Sequence, residues 1–148
     1  MKLSKHKGDQ WQYVLKQEEA EVLRALLKNF PFTKMDPVNM SKGRHDAEML
    51  EREALLNESL TAHRNGLKLA AEKLVNDSLC KSADGWLLTV KMESKETLLQ
   101  ILNDIRIGAW RGLGEPDDIH QPPDSPAKLQ NWSLINLAGY FEECLVGE

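Results

Sequence analysis

The feature that most constrains this chain is a periodic run of apolar positions between Asp46 and Val75. Met49, Glu53, Leu56, Leu60, His63, Leu67, Ala70 and Leu74 follow one another at steps of 4, 3, 4, 3, 4, 3 and 4. Only a helix lines such positions up on one side, and the heptad-like step gives it one continuous seam. The spacing predicts one long helix, or two stacked ones if Asn65-Gly66 breaks it, because an interior glycine costs about 1 kcal/mol against alanine. Glu53 and His63 interrupt the seam. They read as a polar register device or pH-sensitive contact, or else as polar groups satisfied at the edge of a core.

A helix of that length needs partners, and the rest of the chain supplies more helices than strands. Val22, Leu23, Leu26, Leu27 and Phe30 predict a helix over 18–30, with Glu18, Glu19 and Glu21 near its positive end and Pro31 as its stop. Leu98, Ile101, Leu102, Ile105 and Ala109 predict another, opened by Ser94 and closed by Gly112 or Gly114. Ser125-Pro126 begins a last helix that carries Trp132, Leu137, Tyr140, Phe141 and Leu145. Two short runs alternate with period 2. These are Trp11-Tyr13-Leu15 and Trp86-Leu88-Val90-Met92, which read as a pair of strands. Two strands are marginal in water, so helices must cover one face.

The expected fold is therefore mainly α: a bundle of about four to five helices with a small two-stranded β element. Residues 1–9 read as a flexible basic tail and 10–148 as a single helical domain. At 148 residues the chain can bury roughly two-thirds of its unfolded surface without disulfides or metals. The net charge of −4 spreads over intermixed Lys, Arg, Asp and Glu, which disfavours nucleic-acid binding by the chain alone. No apolar run reaches the length of a membrane span, and Met1-Lys-Leu-Ser-Lys-His-Lys has no following apolar core of a signal peptide. Cys80 and Cys144 have neither a CxxC nor a zinc spacing. The expectation is a cytoplasmic protein with reduced thiols and no membrane segment. Cys144 reads as a small hydrophobe on the last helix, and Cys80, beside Lys81, as a turn thiol.

At this point the chain resembles the bacterial family called domain of unknown function 2017. The resemblance rests on three stretches. One is the aromatic strand leading into an acidic helix, Trp11 to Leu27 with Glu18-Glu19-Ala20. A second is the run Leu102-Asn103-Asp104-Ile105-Arg106, followed by Arg111-Gly112-Leu113-Gly114. The third is a closing helix with Trp132, Leu137, Tyr140 and Leu145. It covers most of residues 10–146. The chain departs from the family pattern at Trp110, where members tend to carry Gly, and at Gly112, where they tend to carry Arg before Leu-Gly. The resemblance implies a small helical bacterial protein without an established activity.

Two groups of residues stand out as candidate sites. Asn103, Asp104, Arg106 and Arg111 could form a polar network or anion site, since Arg beside Asp gives charge-assisted and bidentate pairs. Trp132, Ile135, Tyr140 and Phe141 lie on a final helix that is apolar nearly all round, the mark of a central helix or of an interface. The acidic loop with Asp117, Asp118, His120 and Asp124 lacks a metal-site spacing, so neither metal nor other cofactor is expected. With no nucleophile–base pair and no Gly-rich loop, the leading reading is a non-enzymatic protein-interaction module, its partner another protein or a second copy. A transcriptional regulator or adaptor would instead bring Lys2, Lys5, Lys7, Arg44, Arg52 and Arg64 onto one surface. A small-ligand or anion-binding protein would use Asp104, Arg106 and Arg111 in a pocket.

Overall fold

A computed structural model describes residues 1–32 and 46–147. Among the described residues four strands and four α-helices follow one another in pairs. They are β1 (Lys2–Lys7), β2 (Gln10–Leu15), α1 (Gln17–Lys28), α2 (Ala47–Lys73), β3 (Leu79–Ser82), β4 (Gly85–Lys91), α3 (Met92–Gly112) and α4 (Pro126–Val146). A π-helical turn over Leu74–Ser78 joins α2 to β3. The strands form one antiparallel sheet in the order β1-β2-β4-β3. The fold is thus α+β, which corrects the expectation of a mainly helical bundle with a two-stranded element.

The strand pair anticipated from the alternating aromatics is the centre of that sheet. Trp11 faces Val90, Tyr13 faces Leu88 and Leu15 faces Trp86. Because side chains alternate across a strand, all six residues share one side. That side is covered by α1, α3 and α4. Leu23 and Leu27 of α1, Leu98, Ile101, Leu102 and Ile105 of α3, and Ile135, Ala138, Phe141 and Leu145 of α4 complete a single buried cluster with it. The opposite side of the sheet is more polar, with Gln12 Nε2 donating to Thr89 Oγ1 at 3.5 Å.

The outer strands escaped the sequence for different reasons. β1 occupies the stretch read as a flexible tail. Every residue in it is exposed, so it has no apolar alternation to announce it. Lys2, Lys5 and Lys7 along a sheet edge suit a strand that must not pair with other molecules. The legible signal was Gly8-Asp9: with Gly8 at φ +63° it is the two-residue turn joining β1 to β2. β3 has four residues, of which only Leu79 is buried. It turns back into β4 through Ala83-Asp84.

At the start of β4, Gly85 has φ +139°, and a Cβ there would lie 2.8 Å from the carbonyl oxygen of Leu15. Gly85→Ala is expected to cost about 1–3 kcal/mol, read as a lower urea midpoint, because both the backbone region and the space favour glycine.

The helix starts follow the chain's path. α1 begins with Glu19 Oε1 accepting from the Lys16 N–H at 3.0 Å. α4 begins at Pro126, as Ser125-Pro126 indicates. α3 does not begin at Ser94. Strand β4 runs directly into it, and the Met92 N–H donates to the Asp9 carbonyl at 3.0 Å, so Ser94 falls inside the first turn.

Helix α2 runs unbroken through Gly66 for 27 residues, roughly 40 Å. Its inward seam differs from the one read in the sequence. Met49, Glu53, Asn57, Leu60, Arg64, Leu67, Ala70, Ala71 and Leu74 are the buried or half-buried positions, while Leu56 and His63 are exposed. Within the helix only Leu67 and Ala71 are fully buried. The packing centre therefore sits at its C-terminal end.

Candidate functional site

The four residues of the candidate polar network do not meet. Asp104 and Arg106 are two positions apart on α3, which turns them to different sides of the helix. Arg64 Nη2 of α2 reaches Asp104 Oδ2 at 3.3 Å, and Arg106 Nη1 donates to Glu142 Oε2 of α4 at 2.7 Å. Each is a cross-link between helices. Arg111 is exposed at the end of α3. Asn103 and Arg106, one turn apart, do share a surface. With Trp110, Pro116, Asp117 and Ile135 they border an open groove of about 290 Å³ between α3, α4 and the loop that joins them. Two indoles hold that loop: Trp110 Nε1 donates to the Pro116 carbonyl at 3.0 Å, and Trp132 Nε1 to the Ile119 carbonyl at 2.8 Å. In the same loop Asp118 Oδ1 accepts from the His120 N–H at 2.8 Å. Among the described residues no group of three or more His, Cys, Asp or Glu side chains is placed to hold a metal ion.

The candidate interface on α4 is split by the fold. Ile135 and Phe141 are core residues, with Phe141 only 1% exposed. Trp132 is half-buried against the loop. Tyr140 is 42% exposed, and its ring meets that of Phe141 edge-on at 5.2 Å. The Tyr140 hydroxyl donates to Glu19 Oε2 and accepts from the Met1 ammonium at 2.6 Å; the same ammonium also pairs with Glu19. Burial opposes ionisation of Glu19, but the ammonium, the Tyr140 hydroxyl and the Lys16 N–H together outweigh it and bring its carboxyl down to about 2. The same contact with an anion, aided by burial and by Cys144, raises the Tyr140 phenol.

At the other end of the sheet Trp11 lies between two groups. His6 stacks on it at 4.3 Å, and the Lys95 ammonium sits 4.5 Å from its ring centroid. Burial lowers the Lys95 pKa.

The cationic residues that a nucleic-acid reading needs are dispersed. Lys2, Lys5 and Lys7 lie on β1, Arg52 pairs with Glu48 at 2.7 Å on α2, and Arg64 is engaged with Asp104. Arg44 lies outside the described residues. Cys80 is exposed, with Sγ 3.9 Å from the Asp77 carbonyl oxygen, and Cys144 is half-buried. No described helix is long and apolar enough to cross a membrane.

One surface was not anticipated. Helix α2 turns Leu50, Leu55, Leu56 and Leu69 outward, with Leu55 60% and Leu69 67% exposed. The signal in the sequence was the surplus of leucines beyond a single seam. Compared with family models, curated proteins and solved structures, the chain matches none of them.

Proposed function

We propose that this chain is a non-enzymatic protein-interaction module that engages its partner through the outward face of α2. One observation carries the reading: a 27-residue helix buries only Leu67 and Ala71, and on the side opposite its inward seam Leu55 and Leu69 are 60% and 67% exposed. Single exposed apolar residues are ordinary, but two highly exposed leucines two heptads apart on one side of a helix make a surface that association would bury. Helix-on-helix docking recognises such surfaces through residues spaced by 3, 4 and 7. Membership of the domain of unknown function 2017 family belongs to the same proposal and rests on the runs at 102–106 and 111–114.

Site-specific photo-crosslinking in cells tests it. A benzophenone side chain at position 55 or 69 is expected to yield a protein adduct, whereas the same group at exposed Gln130 on α4 yields none. Absence of an adduct at both α2 positions contradicts the proposal.

A further inference from the structure

The outward face of α2 has a pattern of its own. Leu55, Ser59, Ala62, Gly66 and Leu69 follow at steps of 4, 3, 4 and 3, all exposed and opposite the inward seam. This is a second heptad seam on the same helix, with a leucine at each end and small side chains between. A Cβ built on Gly66 meets nothing within 4 Å, so no described residue packs against the seam at that point.

The charges around the seam specify what fits it. Glu48, Glu51 and Arg52 flank its N-terminal end; Glu72 and Lys73 flank its C-terminal end. A second copy laid parallel would set Arg52 against Arg52 and Lys73 against Lys73. A copy laid antiparallel, with Ala62 near the two-fold axis, sets Lys73 against the partner's Glu48 and Glu51, and Arg52 beside the partner's Glu72. It also brings the two helix dipoles into opposition. In that arrangement Leu55 and Leu69 cap the small middle of the seam from both ends, and close approach there is what small side chains allow. The Arg52–Glu48 pair within one helix is exposed at both residues, so exchanging it across an interface costs little.

From this face we infer that the chain associates with itself, forming an antiparallel, two-fold α2–α2 dimer. The inference rests on the protein-interaction reading and names the partner as a second copy. The contact is short, so the dimer is weak, with a dissociation constant on the order of 10–100 μM.

Sedimentation equilibrium of the full chain from about 5 μM to 1 mM tests it. Wild type is expected to pass from monomer to dimer over that range. Leu55→Glu with Leu69→Glu should leave a monomer throughout, with an unchanged far-UV spectrum. Lys73→Glu is expected to weaken the dimer about tenfold, and adding Glu51→Lys to that variant should restore it, because the pair is re-formed with its signs exchanged. A wild-type monomer at 1 mM overturns the inference, as does a dimer indifferent to the leucine and charge changes. If the protein is monomeric while position 69 still crosslinks to a different protein in cells, self-pairing fails and the interaction reading stands. If there is neither dimer nor adduct, both fall.

Discussion

Phe141→Ala is expected to destabilise the protein by about 3–5 kcal/mol, whereas truncating its neighbour Tyr140 leaves the core intact. The two residues are adjacent on α4, and sequence alone places them on the same candidate interface. Their environments differ: Phe141 is 1% exposed within the cluster under the sheet, and Tyr140 is 42% exposed. Removing the buried ring loses its transfer free energy and leaves a cavity that close-packed neighbours fill only in part. Against a total of about 5–15 kcal/mol for a native domain, that is a large share. The melting temperature should fall by about 10 °C or more. Tyr140→Phe keeps the ring and removes only the hydroxyl, so its effect is confined to the contact with Glu19 and the Met1 ammonium. Thermal unfolding followed by circular dichroism at neutral pH separates the two. A Phe141→Ala protein that melts with the wild type would place the ring on the surface.

The second large effect is on acid stability. Glu19 carries a carboxyl whose pKa falls from 4.5 to about 2 in the folded chain. A folded-state value below the unfolded one means that the folded state holds the carboxylate more favourably. In full the shift is worth about 3 kcal/mol, which solvent screening of this partly exposed group reduces to about 2 kcal/mol; that stability is complete above the unfolded pKa and disappears as the pH falls from about 5 towards 2. Glu19→Gln removes the charge at every pH. The difference in urea-unfolding free energy between wild type and Glu19→Gln should therefore be largest at pH 6–7 and shrink towards zero near pH 2. Other carboxylates titrate in both proteins and cancel in the difference. A gap that stays constant from pH 7 to 2 would mean that Glu19 acts through packing rather than charge.

How far the sequence reveals this fold depends on what each residue touches. The β2–β4 pair is legible because Trp11, Tyr13 and Leu15 recur at every second position and pack on one side, as do Leu88 and Val90. The stripes of α1 and α3 were legible for the same reason with a helical period; Leu98, Ile101, Leu102, Ile105 and Ala109 are all buried. Strand β1 was not, because a fully exposed edge strand rich in lysine has the composition of a tail. On α2 the direction of the seam was ambiguous. Leucines on more than one side allow several tracks, and tertiary partners such as Asp104, which draws Arg64 inward, decide among them.

The candidate polar network shows the same limit. Asp104 and Arg106 form ion pairs, but with residues of other helices, 40 and 36 residues away in sequence. Neighbour rules within one helix cannot find such partners. Of the candidate interface, the aromatic character of α4 was plain in the sequence. Whether an apolar side chain faces the core or solvent is set by the sheet beneath it, and that sheet claimed Ile135 and Phe141.

The interaction reading requires that the outward leucines of α2 serve no purpose within the fold, and urea unfolding of a Leu50→Gln, Leu55→Gln, Leu69→Gln variant at low micromolar concentration tests this most directly. The unfolding free energy is expected to stay within about 1 kcal/mol of wild type, as for surface substitutions away from packing or capping. A buried leucine costs about 2–5 kcal/mol when its side chain is cut back. A loss of several kcal/mol in the variant would place these leucines in the core and remove the surface through which α2 is proposed to bind.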